Sequence, residues 1–91
     1  MASPKTAKKR VTFKVDAPQA SQVFLAGTFN DWAPAARALK RNSKGVWSTW
    51  TALEPGTYEY LFVVDGEWLE DPNCPDRCPN PHGSHNSVLK V

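Results

Sequence analysis

The sequence predicts an all-β domain, an immunoglobulin-like antiparallel β-sandwich of about seven short strands. Three observations carry that expectation. Short segments alternate apolar and polar residues with a period of two, and turn dipeptides such as Pro55-Gly56 and Asp65-Gly66 fall between them. Eight Pro and five Gly punctuate the chain, leaving no stretch with the 3.6-residue repeat of a long helix.

The first strand is "VTFKVD", where Val11, Phe13 and Val15 alternate with Thr12, Lys14 and Asp16. "SQVFLAGTF", residues 21–29, is apolar almost throughout and suits a more buried strand that ends near Gly27. A short edge strand at "RALKRN" and a turn at "NSKG" follow. "VWSTWTAL", residues 46–53, is rich in the Trp and Thr that strands favour. The order Pro55, Gly56 suits a type II turn, because Pro presets the first central φ and Gly accepts a positive second one.

"YEYLFVV" is the strongest strand pattern, and Asp65-Gly66 after it signals a type I′ hairpin. A two-residue loop sets Val64 opposite Glu67, Val63 opposite Trp68, Phe62 opposite Leu69 and Leu61 opposite Glu70. Opposed residues share a face. Tyr58, Tyr60, Phe62 and Val64 form the larger uncharged set and therefore face the core, so Trp68 joins Glu59, Leu61, Val63 and Glu70 on the other side. "LEDPNCPDRCPNPHGSH" holds four prolines and reads as a long surface loop, and "NSVLKV" closes the fold.

Ninety-one residues make one domain with a single modest core. The net charge of +2 is concentrated at one end: Lys5, Lys8, Lys9 and Arg10 are four of the eleven basic residues. Without them seven basic residues stand against nine acidic ones, about −2. We therefore read residues 1–10 as a solvated, disordered basic tail and 11–91 as the folded domain. The weakly acidic body argues against a nucleic-acid surface, whose affinity comes from neutralised phosphates. The opening residues lack the apolar core of a secretory signal and no run approaches a membrane span, so a cytoplasmic location is the default.

Two tryptophans stand out. Trp68 projects away from the core, where a polar residue would serve if that face met only water; its indole either caps the hairpin on Val63 or offers a stacking platform. Trp32, in "GTFNDWAP", follows an Asn-Asp pair that favours a turn, and either lids one end of the sandwich or forms a second platform. Trp47 and Trp50 have opposite parity in one strand. One of them is expected inside and the other on the sheet surface.

"VFLAGTFNDW", "GTYEYLFVVDGEWLEDPNCP" and "NPHGSHNSVLKV" together resemble the glycogen-binding domain family, the family 48 carbohydrate-binding modules. That family includes the β-subunit domain of AMP-activated protein kinase and the N-terminal early-set domains of isoamylase-type enzymes. The likeness runs from about Val11 to Val91. It implies an early-set immunoglobulin-like sandwich that binds α-1,4-glucans without a cofactor and serves a glycogen-metabolising enzyme. Matched residue by residue, Trp32 and Trp68 take the stacking positions, Asn86 the position that bonds sugar hydroxyls, and Ser84 that of a hydroxyl-bearing neighbour. Leu61 stands where the resemblance implies a binding lysine, a departure that removes a charge-assisted donor worth about 1 kcal/mol or more. His82 replaces a loop leucine that packs against the sugar.

The residues admit rival chemistries. Cys74, Cys78, His82 and His85 lie within twelve residues and are all zinc ligand types, but the spacing is unlike a zinc finger and Pro75, Pro79 and Pro81 stiffen the wrap. A Cys74–Cys78 disulfide needs a sharp turn and an oxidising compartment; two free thiols are the default. Glu67 and Glu70 point to opposite faces of a strand and cannot flank one glycosidic bond, so no enzymatic activity is expected. The alternative to a glucan-binding module is a protein-interaction or scaffold module on the same fold, docking through Leu61, Val63 and Trp68.

Overall fold

In a computed structural model, residues 8–81 and 83–91 are described. Among them, eight strands form two antiparallel sheets packed face to face. β1 (Lys9–Asp16), β3 (Lys40–Arg41) and β4 (Val46–Leu53) make one sheet in the order β1-β4-β3. β2 (Val23–Gly27), β5 (Thr57–Val64), β6 (Glu67–Leu69), β7 (Arg77–Pro79) and β8 (His85–Lys90) make the other. Its order is β2-β5-β8-β7, with β6 also paired to β5. The expected immunoglobulin-like sandwich is therefore the observed fold.

Alternation decides what lies between the sheets. Phe13 and Val15 of β1 and Trp47 and Leu53 of β4 face Val23, Leu25, Tyr60 and Phe62. Val23, Leu25 and Phe62 are fully buried, each contributing about 1.5–3 kcal/mol by transfer from water. Phe13 meets Tyr60 edge-on across the interface at 4.9 Å and 74°, the geometry that aromatic quadrupoles favour. Trp47 is the inward tryptophan, its indole N–H donating to the Ala17 carbonyl at 2.8 Å. Trp50 lies on the outer surface under the Arg10 guanidinium, 4.4 Å from its ring.

Several elements depart from expectation for identifiable reasons. β1 begins at Lys9, because Lys9 and Arg10 pair with Leu53 and Ala52; the basic stretch before residue 8 lies outside the described residues. β2 is shorter than "SQVFLAGTF" and passes into a 3-10 turn at Thr28–Asn30. The Asn30 carboxamide accepts the Gly27 N–H and donates to the Leu25 carbonyl, both at 3.0 Å, taking the place of ladder partners. The "RALKRN" segment changes sheets: Leu39 N–H bonds the Val23 carbonyl at 2.8 Å, while Lys40 and Arg41 pair with β4.

Gly56 does not form the type II turn. Its φ of 158° is nearly extended, and it exchanges two hydrogen bonds with Val91. The supposed surface loop contains β7. Pro79 is tolerated there because β7 is the sheet edge, where a missing N–H costs no ladder bond.

Candidate functional site: an aromatic groove on the outer face of the larger sheet

The hairpin folds as its turn residues require. Asp65 and Gly66 both have positive φ, 48° and 87°, and the register sets Val64 opposite Glu67, Val63 opposite Trp68 and Phe62 opposite Leu69. The ladder stops at Leu69, so the expected pairing of Leu61 with Glu70 is absent; Glu70 instead meets Arg77 at 3.2 Å. Asp65 also locks the hairpin to the chain before β2. Its Oδ1 accepts the backbone N–H groups of Ser21 and Gln22, both at 2.9 Å.

Trp68 therefore lies on the outer face, 45% exposed. Leu61 and Val63, on that same face, are buried at 7% and 5%. The proposed docking patch thus offers little accessible apolar surface besides Trp68.

Trp32 is brought to the same place by a different route. Asp31 and Trp32 both adopt left-handed φ, 56° and 58°, and Trp32 N–H bonds the Gly27 carbonyl at 2.9 Å. This tight turn carries the indole over the sheet to a centroid distance of 6.5 Å from Trp68, with the ring planes 43° apart.

Below and beside the two rings lies an open groove of about 740 Å³, lined also by Glu59, Leu61, Asn80, Pro81, Ser84 and Asn86. Glu59, Leu61 and Trp68 share a face by strand parity, and Asn86 joins them through the β5–β8 register. Leu61 and Ala26 are cross-strand partners.

The polar wall of the groove is a connected chain. Asn86, only 7% exposed, donates from Nδ2 to Glu59 Oε1 at 3.0 Å and accepts at Oδ1 from Asn80 Nδ2 at 3.0 Å. Asn80 in turn accepts the Ser84 N–H at Oδ1 and donates from Nδ2 to Ser84 Oγ at 3.0 Å, closing the 80–84 turn. The Asn86 amide, backed by the Cys78 thiol, holds the Glu59 carboxyl below its ordinary pKa. The Glu59 carboxylate beside it, and burial after that, raise the Cys78 thiol.

The order of bonds fixes which way each amide points. Behind the sheet, Tyr60 donates to Asp71 Oδ2 at 2.6 Å while Asp71 N–H bonds Ser87 Oγ at 2.9 Å, tying the chain that follows β6 to β8. Burial first, and Asp71 second, push the Tyr60 hydroxyl well above the ordinary phenol range.

Of the residues expected at the site, Trp32, Leu61, Trp68, Ser84 and Asn86 all converge on this groove. His82 lies outside the described residues. Glu59, Asn80 and Pro81 also line it and were not foreseen. The sequence places Glu59 on this face by its parity with Leu61 but does not assign it to the site. Asn80 was not legible there, because its approach to Asn86 depends on β7 pairing with β8.

Cys74 and Cys78 are free thiols; Cys74 donates to the Val88 carbonyl at 3.2 Å. Among the described residues no group of three or more His, Cys, Asp or Glu is arranged to hold a metal ion. No helix among them is long and apolar enough to cross a membrane.

Fold and groove together define a small β-sandwich module with an open, aromatic recognition face. Residues 10–91 match the family described as the glycogen recognition site of AMP-activated protein kinase, and the chain belongs to that family.

Among its relatives, Protein FLOURY ENDOSPERM 6, chloroplastic, of Oryza sativa subsp. japonica is 38% identical over 82 residues, covering 90% of this chain and 15% of that protein. The 5'-AMP-activated protein kinase subunit beta-2 of Mus musculus is 35% identical over 54 residues, covering 59% of this chain and 19% of the subunit. In structure, the chain is similar to part of a maltogenic amylase from S. marinus, with a TM-score of 0.77 and 25% identity over 92% of this chain and 14% of the amylase. The chain thus spans less than a fifth of each of these proteins. The rice relative is named as chloroplastic, so the cytoplasmic default gains no support from it.

Proposed function

We propose that the groove binds α-1,4-glucans such as glycogen, starch and maltooligosaccharides, and that the module brings a partner enzyme to the polymer without itself reacting. The carrying observation is the pair of indoles, 6.5 Å apart and inclined at 43°. Axial C–H bonds give each glucose ring one apolar face that can lie on an indole. Successive rings of an α-1,4 chain turn relative to one another, so inclined platforms suit that curved chain better than the flat ribbon of a β-1,4 chain. Asn86 and Ser84 supply polar atoms for hydroxyls at the ring edge, and Leu61 lies in the lining where the family resemblance implies a lysine.

Among the described residues a single carboxylate, Glu59, lines the groove, whereas canonical glycoside hydrolysis uses two flanking the bond. That supports binding without catalysis. The burial of Leu61 and Val63 weighs against a protein-docking patch there. An open site of this kind binds weakly, with Kd roughly micromolar to millimolar, and multivalent polymer compensates if several modules act together.

The test is a tryptophan fluorescence titration with maltoheptaose and cellohexaose. A saturable change with the α-linked sugar alone, lost in Trp32→Ala and Trp68→Ala and kept in Trp50→Ala, is expected. Trp50 is 49% exposed, against 45% for Trp68, so it controls for loss of any surface indole. Equal losses in all three variants, or no response in folded wild type, refute the reading.

A further inference from the structure

We propose that Glu59 makes the groove selective for neutral α-glucans over glucans that carry phosphate or carboxylate groups; this rests on the glucan reading of the groove. Among the described residues that line it, Glu59 is the only one of Asp, Glu, Lys or Arg type, so no Lys or Arg side chain among them balances its charge. Leu61, two residues along the same strand face, is apolar and offers the carboxylate no counter-charge within the groove.

Among the described strand residues, the register puts the cation Lys90, opposite Thr57, on the same sheet face. It lies past Val88, the partner of Glu59, and does not line the groove. Arg77, on the neighbouring edge strand, is engaged by Glu70 at 3.2 Å.

The carboxylate is fixed rather than free to swing away. Asn86 Nδ2 holds Oε1 at 3.0 Å, and Asn80 Nδ2 holds Asn86 Oδ1 in turn at 3.0 Å. Glu59 also sits in the paired part of β5, opposite Val88. Its remaining lone pairs are acceptors, and sugar hydroxyls are donors. A neutral glucan gives this wall what it lacks. A phosphate dianion has no proton to donate, needs cationic or N–H donors, and meets a like charge instead.

At separations of about 4–6 Å near a protein surface, repulsion of that kind weakens binding by about tenfold or more. The effect must shrink as salt screens it, whereas affinity for the neutral ligand holds nearly constant.

The experiment titrates wild type and Glu59→Gln with maltotetraose and with maltotetraose phosphorylated at O6 of an internal glucose, at about 20 and 500 mM salt, conditions spanning long and short Debye lengths. Gln keeps an acceptor oxygen for Asn86, and circular dichroism verifies that the variant is folded. Wild type is expected to prefer the neutral sugar by about tenfold at low salt and by less at high salt. In Glu59→Gln the preference should fall to within about twofold, because the charge that sets it is gone. Equal wild-type affinities for the two ligands, or a preference that survives both Glu59→Gln and high salt, would overturn the inference while leaving the glucan reading intact. Failure of folded wild type to bind either sugar would overturn both.

Discussion

Substituting Gly27 by Ala should damage stability and the binding groove together, although Gly27 does not itself line the groove. The dihedrals of Gly27, φ −169° and ψ −176°, are open to any residue, so the cost is steric. An added Cβ would sit 2.6 Å from the backbone oxygen of Glu59 and 2.7 Å from the Phe29 ring. The ring edge can rotate. The oxygen cannot, because β5 is paired on both sides, to β2 and to β8. Restoring ordinary contact needs a separation of about 0.8 Å at the end of β2, an overpacking that costs about 2–3 kcal/mol.

For a domain of this size that lowers the urea midpoint by about 2 M and Tm by about 10–20 °C. The displacement also carries Trp32, whose N–H bonds the Gly27 carbonyl, and Asn30, which accepts the Gly27 N–H. Maltoheptaose affinity should therefore fall several-fold even where the variant is fully folded. Urea denaturation followed by circular dichroism, with titration below the transition, measures both. Gly66→Ala is the control: open space surrounds its Cβ position and only its φ of 87° is strained, so a loss of about 1 kcal/mol and little change in the Trp32 loop are expected. A Gly27→Ala midpoint within about 0.3 M of wild type would refute the reasoning.

Leu61→Lys should place an ammonium on the groove floor two residues from Glu59. Affinity for maltoheptaose should rise about fivefold, the worth of one charge-assisted bond, while stability drops by about 1 kcal/mol from lost apolar burial; calorimetry and urea titration separate the two. Unchanged affinity would mean that residue 61 does not reach the sugar. The pH dependence has a definite sign on each side. Because the folded state lowers the Glu59 pKa, its contribution to stability is present above the unfolded carboxyl pKa and lost as pH falls through the folded value. Because it raises the Cys78 pKa, that thiol's contribution is complete below the unfolded thiol pKa and lost as pH rises through the folded value. Denaturation midpoints measured across this range should therefore form a plateau between the two windows, and Glu59→Gln should flatten the acid limb.

The hairpin from Thr57 to Leu69 was legible in sequence because each signal is local. Asp65-Gly66 selects the turn, the turn fixes register, and a period of two then places Phe62 inside and Trp68 outside. The alternation of Phe13 and Val15 is equally local, and so is the opposite parity of Trp47 and Trp50. Local signals misled where a distant partner intervenes: the Pro-rich stretch that reads as a loop holds β7, because β8 offers it an edge. Gly56 likewise answers to Val91, thirty-five residues away, rather than to Pro55.

The sequence by itself thus determined the fold class, the strands other than β7 and the outward direction of Trp68, all consequences of short-range sterics and alternation. Only the tertiary structure decided the groove. Trp32 reaches Trp68 through a left-handed turn, Asn80 reaches Asn86 through a strand pairing, and Glu59 becomes the charged wall beneath them. Those juxtapositions join residues up to thirty-six positions apart, and only the pairing of distant strands within the larger sheet, with the turn after β2, brings their side chains into contact.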